Sequence, residues 1–240
     1  MILIRSLFYY LFLTLTVLFF GLTLAVFGWG MPWSWRDSIA TAWAKNNLWL
    51  QRVICGLSYR LTGSEHLPRG AAIVMAKHQS AWETIALRGL LRPSQSWILK
   101  RELLWIPVFG WALAAIRPIA IDRKAGRQAA RQIIEQGRKH LAQGRTVIIF
   151  PEGTRTAPGE HKKYGIGGGL LAAETGAPVI PIAHNAGVFW KRRSVAKFPG
   201  TIQVVVGSPI AVAGKSAAQI TREVERWIEG TLVKLPAVYR

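Results

Sequence analysis

Two short segments of the chain combine residue types that can carry out acid–base and anion-binding chemistry. In the first, Lys77–Glu83 (KHQSAWE), an imidazole is followed five residues later by a carboxylate. In one continuous helix His78 and Glu83 would point about 140° apart, because a helix has about 3.6 residues per turn. They can meet if His78 lies in the turn that leaves a strand and Glu83 lies in the first turn of a helix begun by Ser80. The carboxylate would then accept from one imidazole nitrogen and leave the other as a general base.

The same spacing also has a purely structural interpretation. Ser80-x-x-Glu83 matches a capping box, in which the glutamate only satisfies backbone donors at the start of a helix. A histidine that follows a strand is more often structural than catalytic. From these residues alone, both interpretations stay open.

The second segment is Phe150–Thr156 (FPEGTRT). Gly153 allows close approach of the backbone to a ligand, Thr154 can donate a hydrogen bond, and the fork of Arg155 suits phosphate oxygens. Proline and glycine also make ordinary turns, in which an arginine is simply solvated. The segment therefore indicates an anion site only in combination with the first one.

Both segments follow stretches that we expect to be buried strands. These stretches are short, rich in valine and isoleucine, and bounded by glycine, proline or polar residues: 71–77, 96–100, 116–122, 146–150, 178–183 and 201–206. The pattern predicts helices over 124–143 and 216–234. Alternating strands and helices predict an α/β fold with a mixed, largely parallel sheet flanked by helices. Ligands of such sheets bind at the carboxyl ends of the strands, where both segments lie.

The N-terminus predicts a membrane anchor. From Ser6 to Trp35 the chain carries no formal charge and is dense in leucine, phenylalanine and valine, which is long enough to cross a bilayer. A cleavable signal sequence is the alternative, but its apolar run would be shorter. A helix or a helical hairpin that dips into one leaflet would both fit. We expect an anchor over 1–35, an amphipathic interfacial helix over 36–60, and one catalytic domain over 61–240.

Composition narrows the class of protein and of partner. Half of the 240 residues are apolar and 18% are charged, which excludes intrinsic disorder. A single cysteine, Cys55, excludes a disulfide framework, and no histidine pair has metal-ligand spacing, so we expect no metal. The formal net charge of +19 favours an anionic partner. No nucleic-acid-binding motif is present, so we expect an anionic phospholipid bilayer and no nucleic acid.

The motifs together resemble the membrane glycerolipid acyltransferase family, which contains the bacterial 1-acylglycerol-3-phosphate acyltransferases. That family has a His-x4-acid block, here His78 to Glu83, where its acid is usually aspartate, and a later F-P-E-G-T-R block. Between and after these blocks lie stretches similar to the family's other two: Lys100–Leu104 with Ile106–Trp111 and Ile119–Arg123, and Val179–Ile182. All four blocks occur in the family's order.

The resemblance implies a mechanism and a set of site residues. His78 is the general base that takes the proton of the acceptor hydroxyl, and Glu83 fixes its tautomer. The phosphate of the acceptor is held by five residues: Arg123, Glu152, Gly153, Thr154 and Arg155. The acyl chain comes from acyl-CoA or acyl carrier protein as co-substrate, and no cofactor is implied. The acceptor is a lysophospholipid, 1-acyl-sn-glycerol-3-phosphate, and the product is phosphatidic acid.

Three alternatives remain. The chain acylates another lysolipid, such as a lyso-ornithine lipid, or it acylates glycerol-3-phosphate; the glutamate at position 83 keeps the first of these open. A non-catalytic basic lipid-binding protein would need neither His78 nor Glu83. The excess of basic residues beyond Trp35 places the catalytic domain on the cytoplasmic side of a bacterial-type inner membrane.

Overall fold

The computed structural model describes residues 1–92, 94–122 and 125–236. Its helices and strands alternate along most of the chain. The helices are α1 Ile2–Phe27, α2 Trp33–Leu50, α3 Trp82–Leu90, α4 Phe109–Ala115, α5 Arg127–Ala142, α6 Gly167–Thr175, α7 Ala186–Phe189 and α8 Ala217–Leu232. The strands are β1 Leu57–Thr62, β2 Ile73–Ala76, β3 Gln95–Lys100, β4 Ile119–Ile121, β5 Thr146–Ile149, β6 Val179–His184 and β7 Gly200–Val206.

The strands form a seven-stranded sheet in the order β1-β7-β6-β2-β5-β3-β4. The described pairs are parallel except for β6 and β7, which run antiparallel. At the centre, β2 lies between β5 and β6, with Val74 opposite both Ile148 and Ile180. Its four residues are buried, as expected of a strand covered on both faces. The predicted α/β fold with a largely parallel sheet is confirmed.

Side-chain alternation along the strands divides the core into two layers. In β2, Val74 and Ala76 pack into one apolar cluster with residues of α2 and α3. Ile73 and Met75 point to the other face and pack with residues of α5, α6 and α8. Each face of the sheet is therefore covered by helices.

The N-terminal helices form a hairpin. Gln51 Nε2 donates to the hydroxyl of Tyr9 at 2.7 Å, and Asn47 Nδ2 donates to that of Thr16 at 3.1 Å, so α1 and α2 run antiparallel. Within the described residues one helical span, Ile2–Gly30, has the length and composition of a membrane span, with a mean hydropathy of 2.3 and few buried residues. This long apolar helix indicates association with a membrane.

The structure differs from the sequence prediction at residues 36–60. Helix α2 begins at Trp33 and ends at Leu50, and after one π-helical turn to Cys55 the chain enters β1 at Leu57. Gly56 allows the reversal because it adopts a left-handed backbone conformation, with φ of 65°. The last part of the predicted helix is therefore a strand, which pairs with β7 at the edge of the sheet.

Candidate active site

His78 and Glu83 lie in contact at the carboxyl end of β2. The Nδ1 atom of His78 is 2.8 Å from Oε1 of Glu83. The strand ends at Ala76 and α3 begins at Trp82, so the histidine lies in the turn and the glutamate in the first helical turn. The two residues thus meet in the one arrangement that their spacing allows, a turn followed by a helix.

The glutamate also caps the helix. Its Oε1 accepts from the backbone N–H groups of Gln79 and Ser80, each at 2.8 Å. The hydroxyl of Ser80 accepts from Trp82 N at 3.1 Å, so Ser80 assists the start of α3 from two residues before the first helical residue. The two interpretations of Glu83 are therefore not exclusive, because one carboxylate caps the helix and orients the imidazole.

The surroundings of Glu83 keep it ionised. Burial alone would raise the pKa of this carboxyl, but the nearby imidazoles of His184 and His78 and the backbone donor of Ser80 outweigh that effect and hold the pKa below its ordinary value. Because an ionised carboxylate can only accept, the Nδ1 atom of His78 must donate to it. The lone pair of the imidazole is then on Nε2, where a general base needs it.

The ring of His78 packs against Phe150, and the residue also lines a cavity. It stacks on Phe150 with 4.1 Å between the ring centroids and 13° between the planes. The residue is 8% exposed and lines a cavity, so its ring is packed yet reachable from that side.

The loop after β5 supports this histidine from behind. Glu152 Oε2 accepts the backbone N–H of His78 at 2.6 Å, and Glu152 Oε1 accepts from the hydroxyl of Thr156 at 2.9 Å. The backbone N–H of Thr156 donates to the carbonyl of His78 at 2.9 Å. The two segments singled out in the sequence are thus joined by one hydrogen bond from backbone to side chain and one from backbone to backbone.

Glu152 does not lie where the sequence analysis placed it. It is 2% exposed, both carboxylate oxygens are engaged within the protein, and a negative charge would repel a phosphate. Burial raises the pKa of this carboxyl, opposed by Lys77. The expectation that Glu152 contacts a substrate phosphate is therefore not supported, and the contacts indicate a supporting role instead.

Arg155 faces the same cavity as His78, in keeping with the sequence prediction. Its backbone carbonyl accepts from Arg192 Nη1 at 2.6 Å, which fixes the loop. Its own Nε is buried and has no hydrogen-bond partner within the described ranges. Thr154 is exposed beside it, and Gly153 makes the turn with a left-handed φ of 68°. Arg123 lies outside the described residues.

The sequence analysis missed a buried ion-pair network directly beneath the site. Lys77, which is 1% exposed, lies 2.6 Å from Glu152 Oε1 and 2.8 Å from Glu229 Oε1. Glu229 belongs to α8 and also accepts from the hydroxyl of Tyr164 at 2.9 Å. In the sequence, the one local sign of this network was a charged residue, Lys77, at the end of a strand predicted to be buried.

His184 is also buried beside the pair. Its Nε2 lies 2.8 Å from the carbonyl oxygen of Lys77 and 4.0 Å from Oε2 of Glu83. Burial lowers its pKa, and because a carbonyl oxygen can only accept, Nε2 donates to the carbonyl of Lys77. This fits the structural role that a histidine at a strand end usually has.

The cavity at His78 is large and apolar. It has a volume of about 400 Å³ and extends from His78, Phe150 and Arg155 to the membrane-type helix α1. Its apolar walls come from α1, α4 and the segment around them: Val17, Phe20, Gly21, Leu24, Leu103, Phe109, Ala112, Leu113 and Ile116. The N-terminal helix thus forms one wall of the candidate active site.

Comparisons with known proteins give a consistent result. The family described as Acyltransferase matches residues 58–185, more than half of the chain. A 1-acyl-sn-glycerol-3-phosphate acyltransferase of Pseudomonas aeruginosa is 39% identical over 239 residues, covering 98% of this chain and 93% of that protein. A 1-acyl-sn-glycerol-3-phosphate acyltransferase alpha of Mus musculus is 30% identical over 166 residues, 68% of this chain and 58% of its own.

The fold also matches a solved structure. The crystal structure of the 1-acyl-sn-glycerophosphate acyltransferase from Thermotoga maritima superposes with a TM-score of 0.81, covering 100% of this chain and 98% of that one at 23% identity. At this identity the likeness concerns the fold, and it extends to the N-terminal helices.

Proposed function

The chain belongs to the membrane glycerolipid acyltransferase family, and we propose that it transfers an acyl chain to the free hydroxyl of 1-acyl-sn-glycerol-3-phosphate. The product is phosphatidic acid. The donor is acyl-CoA or acyl carrier protein. The observation that carries the proposal is an imidazole oriented by a buried carboxylate at the mouth of an apolar cavity of about 400 Å³.

His78 is the general base. With Nδ1 donating to Glu83, Nε2 takes the proton of the acceptor hydroxyl as its oxygen attacks the thioester carbonyl. A C–O bond forms, the C–S bond breaks, and the proton leaves the imidazolium for the departing thiolate. Glu83 fixes the tautomer and stabilises the imidazolium. General base catalysis of this kind supplies about 10²–10⁴ in rate.

The acceptor phosphate binds on the side of Arg155. The guanidinium suits a phosphate because it forms two parallel hydrogen bonds while staying charged. Its Nε has no hydrogen-bond partner in the part of the chain that the structure describes, which leaves a donor for the substrate. Gly153 and Thr154 complete this side of the cradle, and Arg123 joins it by family resemblance. Glu152 supports the loop instead of touching the phosphate.

The apolar cavity takes an acyl chain. Its walls are aliphatic and aromatic, and burying methylene groups there is favourable at roughly 0.8 kcal/mol each. Because α1 supplies part of the wall, the anchor over 1–35 and the domain over 61–240 act as one unit. A lysophospholipid can then keep its own chain in the bilayer while its headgroup reaches His78.

The orientation follows from charge. Basic residues are in excess after the first helix, and such an excess favours the cytoplasmic side. We therefore place the domain on the cytoplasmic side of the membrane, where it meets a cytosolic acyl donor. The positive field of the chain, with a formal net charge of +19, attracts the phosphates of that donor and of an anionic bilayer.

The test is an acceptor panel with labelled acyl-CoA and the purified full-length chain. The panel contains lysophosphatidic acid, glycerol-3-phosphate and a lyso-ornithine lipid. We expect phosphatidic acid as the main product. A higher kcat/KM on either of the other acceptors would transfer the proposal to that acceptor, and lipid binding without turnover on all three would favour the non-catalytic alternative.

A second arm tests the phosphate cradle. Arg155→Gln should raise KM for lysophosphatidic acid by about tenfold or more, since a charged hydrogen bond is lost, and should change KM for the phosphate-free lyso-ornithine lipid much less. Arg222→Gln, an exposed arginine on α8, is the matched control.

A further inference from the structure

A second cavity lies at the amino ends of the strands, whereas His78 lies at their carboxyl ends. The cavity has a volume of about 290 Å³ and is lined by Trp33, Arg36, Arg117, Gln143 and Arg145. Arg145 directly precedes β5, whereas His78 follows β2, and these two strands run parallel with Met75 opposite Ile149. That register separates the two residues by seven strand positions, or about 20 Å. The second cavity is therefore distinct from the proposed catalytic centre.

The lining carries positive charge without a carboxylate. Three of its five side chains are guanidinium groups, and the described lining contains no acid. The carboxylate of Asp37 acts electrostatically on Arg145, but it already accepts from Arg88 and from the backbone of Ser94 and Gln95. Three cations so close together repel one another unless an anion joins them.

The positive charge of this cavity also affects the pKa of the neighbouring His140. The pKa of His140 falls to about 4, first through burial and then through the charges of Arg145 and Arg117. The same surroundings lower the pKa of Arg145 to about 10, with burial as the main cause. The charge of Asp37 opposes the shift of Arg145, whereas the charges of Arg88 and Arg117 add to it.

Two buried hydrogen-bond donors of the lining residues have no partner among the described residues. They are Nε of Arg145, a residue that is 3% exposed, and Nε1 of Trp33. The two side chains stack, with the guanidinium carbon of Arg145 3.8 Å from the centre of the Trp33 ring. An unpaired buried donor is costly, and both of these need an acceptor.

From the cavity, its charge and its two free donors we infer that this site binds a phosphate group. Arginine forks match phosphate oxygens, and the volume holds a phosphate with ordered water, each water taking about 30 Å³. Arg36 is held in place by donating to the carbonyls of Trp29, Met31 and Ala115, so the cavity is preformed. The phosphate is the headgroup of a membrane phospholipid or free phosphate ion.

The position of the site bears on which of the two sources, a phospholipid headgroup or free phosphate, supplies the phosphate group. Trp29, just after α1, and Trp35, in the first turn of α2, lie beside it and are 60% and 64% exposed. Exposed tryptophans at the end of an apolar helix are typical of the headgroup layer. A phospholipid in that layer would bring its phosphate to the depth of the cavity.

The experiment uses the purified full-length chain in a non-ionic detergent with two probes. Inorganic phosphate is titrated by calorimetry, and phosphatidylglycerol is compared with diacylglycerol of the same chains by native mass spectrometry. Arg117→Gln removes an exposed charge of the lining, and Trp33→Phe keeps an aromatic ring under Arg145 while removing its N–H. Arg222→Gln is the surface control, and Arg155→Gln reports on the proposed catalytic site.

We expect wild type to retain phosphatidylglycerol over diacylglycerol, and Arg117→Gln and Trp33→Phe each to weaken that binding about tenfold. Arg222→Gln should bind as wild type does, and Arg155→Gln should lose at most the share of binding that belongs to the proposed catalytic site. The same pattern with inorganic phosphate alone, and no preference between the lipids, would support the site with free phosphate as its ligand. The inference is overturned if wild type binds neither probe, or if Arg117→Gln binds both with wild-type affinity.

Discussion

The ammonium group of Lys77 lies 2.6 Å from the carboxylate of Glu152, and neither side chain is reached by solvent. The same carboxylate holds the backbone N–H of His78, so this buried pair sets the position of the proposed base. On its other side the ammonium group contacts Glu229 of α8. The C-terminal helix is therefore connected to the active-site turn through one lysine.

Replacing that lysine should be costly. Lys77→Met leaves Glu152 without its cationic partner in the interior, and breaking a buried pair in this way costs about 3–5 kcal/mol of unfolding free energy. The control is Lys215→Met, whose pair with Glu223 is partly exposed and contributes about 0–1 kcal/mol. Denaturant unfolding of the two variants measures the difference, and equal losses would contradict the structural role of Lys77.

The carboxylate behind His78 should matter through its charge. Glu83→Gln keeps the size of the side chain but cannot stabilise an imidazolium, and its amide can force the wrong tautomer on the ring. We expect kcat to fall by at least about 10²-fold while KM for the acceptor changes little. Glu223→Gln, on the exposed face of α8, serves as the control. A kcat within twofold of wild type would mean that Glu83 only caps the helix.

Narrowing the apolar cavity should change the choice of acyl donor. Ala112 lines the cavity from α4, so Ala112→Phe fills space that a long chain needs. We expect kcat/KM to fall several-fold for a long-chain acyl-CoA and to fall less for a short-chain one. The exposed Ala213 gives the control substitution Ala213→Phe. An unchanged ratio of kcat/KM between the long-chain and the short-chain donor would mean that the acyl chain does not bind in this cavity.

His140 should make stability depend on pH. Its pKa is lowered from 6.5 to about 4 in the folded chain, so the unfolded chain binds the proton more tightly. Protonation then favours unfolding, and this contribution to stability is lost as the pH falls from about 6.5 to about 4. His140→Asn removes the titrating group, so thermal unfolding of the variant should depend less on pH in that window than wild type. Equal pH dependence would contradict the assignment.

Much of the site could be predicted because each of its two segments is a short, continuous stretch of the sequence. Runs of valine and isoleucine mark β2 and β5, and parallel neighbours bring the residues that follow them to one edge. The spacing of His78 and Glu83 left one arrangement in which they meet, a turn followed by a helix, and the structure has it. Short-range patterns thus predicted the sheet and the one arrangement in which His78 and Glu83 can meet, whereas the role of His78 as a base was implied by the family resemblance.

The remaining features depend on contacts between distant residues. Lys77 and Glu229 are 152 positions apart, and no local pattern links a strand end to the last helix. The family resemblance implied that Glu152 holds a phosphate, but the loop turns its carboxylate inward to Lys77. Strand β1 was missed because Tyr59 and Arg60 lie on the half-exposed edge of the sheet and continue an amphipathic pattern.

The most direct measurement is single-turnover acyl transfer by His78→Ala beside wild type, with lysophosphatidic acid and labelled acyl-CoA. The substitution keeps the backbone N–H that Glu152 accepts, so the turn after β2 retains its anchor. We predict that phosphatidic acid forms at least about 10²-fold more slowly while the affinity for lysophosphatidic acid is retained. Formation at the wild-type rate by a folded His78→Ala protein would contradict the central assignment.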